Sequence, residues 1–338
     1  MNSGWTRSES PFHAGEQAVQ TRMGVREKME TFGRKVIRDH MPDQHRNFFS
    51  RLPFLIVGTT DAQGRPWASI LTGPPGFITA PNPRQLQIAT QPLFGSPLAD
   101  NLRVGADIGI LGILPANRRR NRLTGHISAV NAAGITISIL QSFGNCPQYI
   151  QTREVEVLPT IHSPQQAREI TGGDGLDDTA RTLISQADTL FIATSHTAQD
   201  NNPASGSDAS HRGGKPGFVQ LEDDRTVVFP DFTGNFYYNT VGNILMTAKA
   251  GMTFVDFDTG DLLYLTGQAS IVWDGPEVEA FQGAERLIRV QVDSWRRVAF
   301  SLPLRFQFGE YSPFLDRTGS WDAVAAVNPS TATDIDPS

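Results

Sequence analysis

Two stretches of this chain follow one pattern at a spacing that barely drifts. Pro75-Gly76-Phe77 recurs as Pro216-Gly217-Phe218, an offset of 141. Asn101-Leu102 recurs as Asn243-Ile244, and Leu123-Thr124-Gly125-His126-Ile127-Ser128 as Leu265-Thr266-Gly267-Gln268-Ala269-Ser270, both at 142. Residues 106–110 match residues 250–254 more loosely. So steady an offset implies two copies of one folding unit.

Each copy reads as β. Phe54-Leu55-Ile56-Val57-Gly58-Thr59, the turn Asp61-Ala62-Gln63-Gly64 and Arg65-Pro66-Trp67-Ala68-Ser69-Ile70-Leu71 predict a hairpin. Further strands are expected over 85–90, 107–114, 122–130 and 134–140, with a short helix over 96–102. The second copy predicts strands over 189–195, 217–221, 226–230, 252–256, 262–273, 287–292 and 296–302, with a short helix over 276–282. Six or so strands at short spacing favour barrels, closed or nearly closed, because closure protects strand edges. Apolar residues at helical spacing predict helix over 15–39, with Gly24 and Gly33 as candidate breaks, and a short helix from Pro42 to about Ser50. Helices are also expected over 163–171 and from Asp177 or Asp178 to about Gln186. Residues 197–207 read as a loop, and the Ser/Thr/Asp/Pro-rich tail after Trp321 as disordered. The expected architecture is mainly β with peripheral α-helices: two tandem split β-barrels, each of about six antiparallel strands, forming a pseudo-dimer. Its parts are a helical segment over 1–50, barrel one over 51–160, a helical linker over 161–187, barrel two over 188–310 and a tail over 311–338.

Composition excludes several classes of function. A formal net charge of −6 argues against a broad nucleic-acid surface. No apolar run reaches membrane-span length, and no charged start precedes an apolar block. The single cysteine, Cys146, leaves no partner for an internal disulfide, which fits a cytoplasmic location. No Cys/His cluster has zinc spacing, so no metal site is expected. Walker, Rossmann, GxSxG and HExxH patterns are absent.

Groups suited to binding concentrate in residues 210–243. Ser210-His211-Arg212-Gly213-Gly214 combines an imidazole with a guanidinium fork suited to phosphate or carboxylate. Pro230-Asp231-Phe232-Thr233-Gly234-Asn235 follows, then Asn239 and Asn243. Spacings of four would put Asn235, Asn239 and Asn243 on one face of a helix. The set suits a phosphorylated, planar, hydrogen-bonding ligand; the alternative is a polar loop before a capped helix. Asn243 also has a repeat partner in Asn101, which points to a shared structural cap. The run Asn117-Arg118-Arg119-Arg120-Asn121-Arg122 reads first as a solvated hairpin tip, and otherwise as an anion contact. The loop Gly144-Asn145-Cys146-Pro147 follows the last strand of copy one and would reach the site in copy two if the halves meet there. Cys146 is then either a redox or substrate-contact thiol or a packed, inert one.

Together these motifs resemble the pyridoxamine 5'-phosphate oxidase-like FMN-binding split barrels, in the branch with two tandem barrels. The resemblance covers residues 52–308. It is carried by residues 210–218 and 230–243, by Gly260-Asp261-Leu262-Leu263-x-Leu265-Thr266-Gly267, and by Gln141-Ser142-Phe143-Gly144-Asn145-Cys146-Pro147-x-Tyr149-Ile150. It implies FMN at the junction of the two halves. The family's phosphate cluster is more basic, with Ser-Arg-Lys where this chain has Gly234-Asn235 and Asn239. Arg212, Lys215 or a basic group from the first half must then supply charge. The implied cofactor-binding set is Ser210, His211, Arg212, Pro230, Asp231, Phe232, Asn235, Asn239, Asn243 and Asn145, with His211 and Cys146 as catalytic candidates. The implied function is an FMN-dependent oxidoreductase acting on a small molecule. NAD(P)H, a deazaflavin or a reductase would supply electrons, and a homodimer of tandem chains is compatible with this. Two alternatives stand beside it: a flavin carrier or sensor, and a haem-binding or haem-degrading split barrel with His211 or His196 as axial ligand.

Overall fold

A computed structural model describes residues 4–158, 166–197 and 202–327. The chain opens with α1 (Ala14–Arg22), α2 (Arg26–Val36) and α3 (Asp43–Phe49). α1 starts at a reciprocal cap. The His13 imidazole accepts from the Gly15 amide at 3.1 Å, and Glu16 Oε2 accepts from the His13 amide at 2.8 Å. These bonds satisfy donors that a helix start leaves unpaired. Gly24, at φ 68, separates α1 from α2, but Gly33 lies inside α2, packed against Phe12.

The first sheet comprises β1 (Phe54–Thr60), β2 (Pro66–Thr72), β3 (Ile78–Asn82), β4 (Gln85–Ile88), β5 (Asp107–Leu114), β6 (Arg119–Asn131) and β7 (Gly134–Asn145), with α4 (Leu98–Asn101) between β4 and β5. Then come β8 (Arg153–Val157), β9 (Ile170–Thr171) and α5 (Asp178–Gln186). The second sheet comprises β10 (Thr189–His196), β11 (Gly206–Gly213), β12 (Gln220–Leu221), β13 (Thr226–Phe232), β14 (Lys249–Val255), β15 (Leu262–Val272) and β16 (Ala284–Val298). Within it, α6 (Asn239–Thr247) follows β13 and α7 (Pro276–Ala280) follows β15. β17 (Leu304–Phe308) pairs with β8, and α8 (Trp321–Val327) ends the described chain.

The first sheet runs β2-β1-β5-β6-β7-β4-β3, and the second β11-β10-β14-β15-β16-β13-β12. These are one antiparallel path traced twice, and the chain is mainly β with helices at its edges. The repeat extends to irregularities. β6 slips register between Thr124 and Gly125, and β15 between Thr266 and Gly267. Pairing also corrects the looser match: Gly109 opposes Gly58 and Gly251 opposes Ala193, so Gly109 corresponds to Gly251, again at 142. Both glycines sit where the halves touch. A Cβ at Gly109 would lie 2.5 Å from the Ser207 carbonyl oxygen of β11, and one at Gly251 2.2 Å from the Pro66 carbonyl oxygen of β2.

Each sheet has its own core, and the Pro-Gly-Phe repeat belongs to these cores: Phe77 is buried in the first and Phe218 in the second. A third core crosses the junction, joining Phe54, Ile56, Ile70 and Leu111 to Phe191, Leu262, Tyr264 and Val298. Fully burying one such side chain contributes about 1.5–3 kcal/mol, so the halves are held by a substantial apolar contact.

Several expectations are corrected. Each sheet has a seventh main strand that the pattern did not show, β3 in the first and β11 in the second. The Ser210-His211-Arg212-Gly213 stretch is not a loop but the end of β11, paired residue by residue with β10. Of the loop expected over 197–207, residues 198–201 lie outside the described residues. Likewise the helix expected over 163–171 begins outside them, and Ile170–Thr171 is a strand paired with Val298 and Arg297. Residues 287–298 form one strand rather than two separate ones. The tail is helical over Trp321–Val327, while 328–338 lie outside the described residues. No helix among the described residues is long and apolar enough to cross a membrane.

Candidate functional site

The polar residues converge on a cleft between the halves, with about 660 Å³ of empty volume, part of it open to solvent. From the first half come Arg120 and Arg122 of β6, Asn145 at the end of β7, and Cys146, Gln148 and Tyr149 beyond it. From the second come Ser210, His211 and Arg212 of β11, Asp231 and Phe232 of β13, and the turn into α6. The strand period of two turns Arg120 and Arg122 to the same side of β6. β6 thereby delivers two guanidiniums to the junction rather than a solvated hairpin tip.

The arginines differ in what holds them. Arg122 is engaged at all three nitrogens: Nε donates to the Ala209 carbonyl at 3.0 Å, Nη1 to Asn239 Oδ1 at 2.7 Å and Nη2 to Asp208 Oδ2 at 2.7 Å. Burial pushes the Asp208 carboxyl up, and the Arg122 guanidinium opposes that rise. Arg212 Nε donates to Asp231 Oδ1 at 3.0 Å, and the fully buried Arg286 donates to Asp231 Oδ2 at 2.7 Å. Asp231 is therefore shared between two cations.

Arg120 is different. Only 9% exposed, it donates through Nε to the Cys146 carbonyl at 2.8 Å, and its Nη2 lies 3.6 Å from Cys146 Sγ. Among the described residues no carboxylate pairs with it. Burial, with Arg122 and Arg212 nearby, brings it down to about 10, so it remains a cation at neutral pH. A buried cation without an anion is costly, and an incoming anion would relieve that cost. His211 faces Arg120, with Nδ1 3.4 Å from Nη1. Burial and the surrounding arginines hold its imidazole well below the usual range. It is a neutral neighbour of Arg120.

The turn into α6 carries backbone strain. Phe236 and Tyr238 adopt φ 62 and 63, and Tyr149 across the cleft adopts φ 62. Bulky residues are rare in this left-handed region, and each costs about 1–3 kcal/mol. All three line the cleft. Tyr238 packs under the Arg286 guanidinium, 5.1 Å from its ring centroid. Phe232 stacks on Tyr149 with centroids 5.0 Å apart.

Of the predicted set, Ser210, His211, Arg212, Asp231, Phe232, Asn235, Asn239, Asn145 and Cys146 all line the cleft. Pro230 and Asn243 do not. Pro230 is held in β13 opposite Leu287. Asn243 Nδ2 donates to Thr194 Oγ1 at 3.1 Å, just as Asn101 Nδ2 donates to Thr59 Oγ1 at 3.3 Å. The three asparagines do not share a helix face. Asn235 precedes α6 and its Oδ1 accepts from the Tyr237 amide at 3.1 Å, while its side-chain amide meets that of Asn145 at 2.7 Å. Lys215 is tied to the Thr318 carbonyl at 2.7 Å, away from the cleft. The residues missed by sequence reasoning are Arg120 and Arg122 as inward groups, Gln148, and the aromatics Tyr149, Phe236 and Tyr238. One signal for the arginines was available: their repeat partners at 142, Leu262 and Tyr264, are apolar and mark those positions as inward-facing.

No protein-family model and no curated protein match the chain. Similar chains occur among solved structures. HupZ of Group A Streptococcus is 18% identical at a TM-score of 0.29, covering 36% of this chain and 91% of its own. An F420 reductase is 16% identical at 0.26, covering 36% and 98%. The FAD binding protein from Mycobacterium smegmatis is 18% identical at 0.23, covering 38% and 98%. Each likeness spans little more than a third of this chain.

Proposed function

We propose that this chain is a tandem split-barrel flavoprotein of the pyridoxamine 5'-phosphate oxidase-like kind. It binds FMN in the cleft between its halves and acts as an oxidoreductase on a small molecule. The observation that carries this reading is Arg120, a buried guanidinium without a carboxylate, facing a cleft also walled by aromatic side chains. A phosphate monoester supplies the missing anion, and a planar ring system suits walls built from Tyr149, Phe232, Phe236 and Tyr238. Ser210 and Thr240 bring hydroxyls to the same cleft.

In this reading Arg120 and Arg212 would hold the phosphate group, while Arg122, bonded through all three nitrogens, keeps the wall rigid. His211, neutral, orients Arg120 by accepting at Nδ1. FMN, when bound, supplies one- and two-electron transfer. NAD(P)H, a deazaflavin or a reductase would deliver the electrons.

The test is a fluorescence titration with FMN and, separately, with riboflavin, which lacks the phosphate. FMN is expected to bind at least about tenfold more tightly, the worth of one charge-assisted hydrogen bond. Arg120→Met should erase that difference. Equal affinity for the two flavins, or no uptake of either, contradicts the proposal, and a Soret band on adding haem would favour the haem alternative.

A further inference from the structure

Glu16 is a buried acid to which the flavin reading gives no role. α1 carries it to the first turn of α6, where it is 2% exposed. The approach depends on two glycines. A Cβ at Gly15 would lie 2.4 Å from the Gly242 carbonyl oxygen, and one at Gly242 2.6 Å from the Glu16 amide nitrogen. While Glu16 Oε2 caps its own helix, Oε1 accepts from Asn239 Nδ2. Asn239 Oδ1 in turn accepts from Arg122 Nη1 at 2.7 Å, and both residues line the cleft. One side-chain amide thus links a carboxyl of the N-terminal arm to a guanidinium in the cleft wall.

The charged and titratable groups around Glu16 come from several elements. His13 lies at the start of its own helix, Arg122 on β6 and Asp208 on β11. His196 of β10 lies beyond, its ring 5.2 Å from that of His13. Burial, with His196 alongside, brings His13 down to about 3, so it offers no positive charge at neutral pH. Burial, with Asp208 nearby, pushes the Glu16 carboxyl up to about 8. With Glu16 neutral, the guanidiniums of Arg120, Arg122, Arg212 and Arg286 outnumber the carboxylates of Asp208, Asp231 and Glu285 by one. An ionised Glu16 cancels that surplus.

We propose that Glu16 is a positioning residue through which the N-terminal arm sets the cleft's affinity for a phosphate-bearing ligand, favouring binding while its carboxyl is protonated. Protonated, it holds Asn239, and through it Arg122, without adding charge. Ionised, it opposes an incoming phosphate and draws on the same guanidinium. Only the identity of the ligand rests on the flavin reading.

The experiment measures the dissociation constants of FMN and of ribose 5-phosphate by calorimetry at pH 7 and pH 9. It compares the unaltered chain with Glu16→Gln and Glu16→Ala. A phosphate monoester has its second pKa near about 6, so its charge is nearly constant over this window. The unaltered chain should bind roughly tenfold more weakly at pH 9. Glu16→Gln, which keeps an acceptor but cannot ionise, should match it at pH 7 and change by less than about twofold. Glu16→Ala should bind more weakly at both values. A flat profile in the unaltered chain, or a Glu16→Gln profile that follows it, overturns the proposal. If FMN fails to bind while ribose 5-phosphate shows the Glu16-dependent profile, the flavin reading falls and this inference stands. A chain that binds neither ester at pH 7 overturns both.

Discussion

The two faces of the junction are built on corresponding strands and filled in opposite ways. β6 turns Arg120 and Arg122 toward β11, which presents Ser210, His211 and Arg212. Where β15 meets β2, the equivalent positions hold Leu262 and Tyr264, which share a core with Ile70 of β2. Leu262 and Tyr264 are both 0% exposed and belong to the core that joins the halves. The backbone is the same on both sides, down to the glycine that lets each half approach the other. The difference lies in side chains, and it shows what duplication within one chain permits. One face is packed dry and gains the stability of apolar burial. The other keeps buried guanidiniums that only carboxylates or a ligand can satisfy.

The largest effect is expected from reversing the dry face. Tyr264→Arg puts a cation into the apolar core that joins the halves, and should cost about 3–5 kcal/mol in urea unfolding. A loss under about 1 kcal/mol would mean that this face can hold charge, and the contrast would fail. The open face should behave differently. Arg120→Met removes a buried charge that lacks a carboxylate, so it should leave the unfolding midpoint unchanged or raised, while FMN affinity falls by about 10–100-fold.

A smaller effect separates what the halves share from what they do not. Asn101→Ala and Asn243→Ala each remove one buried bond to a threonine, and each should cost about 1–2 kcal/mol with FMN affinity unchanged. A loss of FMN in Asn243→Ala alone would return that residue to the site. The most graded prediction concerns Glu16. Its carboxyl lies near 8 in the folded chain against an ordinary 4.5. The folded state therefore holds a proton that the unfolded state releases, and stability should fall as pH rises from 4.5 to about 8. Glu16→Gln should flatten that part of the melting profile, and an unchanged slope would show that Glu16 ionises normally.

Much of this comparison was legible in the sequence, because a constant offset survives where individual elements are ambiguous. The hairpin of β1 and β2, the helix starts near Pro42 and Asp177 and the asymmetry between copies could all be read directly. β11 could not. Ser210-His211-Arg212-Gly213 has no β-branched residue and reads as loop chemistry, yet pairing with β10 makes it a strand. Tertiary context supplied what propensity lacked. Arg120 and Arg122 were hidden for the opposite reason: a run of charges suggests solvent, and only their apolar partners in the other copy show the positions to be inward. The tie between Glu16 and Asn239 crosses more than 200 residues and has no local sequence signal.

One face of the junction is expected to bind and the other is not. The direct measurement is the stoichiometry of FMN by visible absorption, titrated into the purified chain and into its Arg120→Met and Tyr264→Phe variants. One FMN per chain, weakened by about 10–100-fold in Arg120→Met and kept in Tyr264→Phe, is the predicted result. Two FMN per chain, or one that persists unchanged in Arg120→Met, would contradict it.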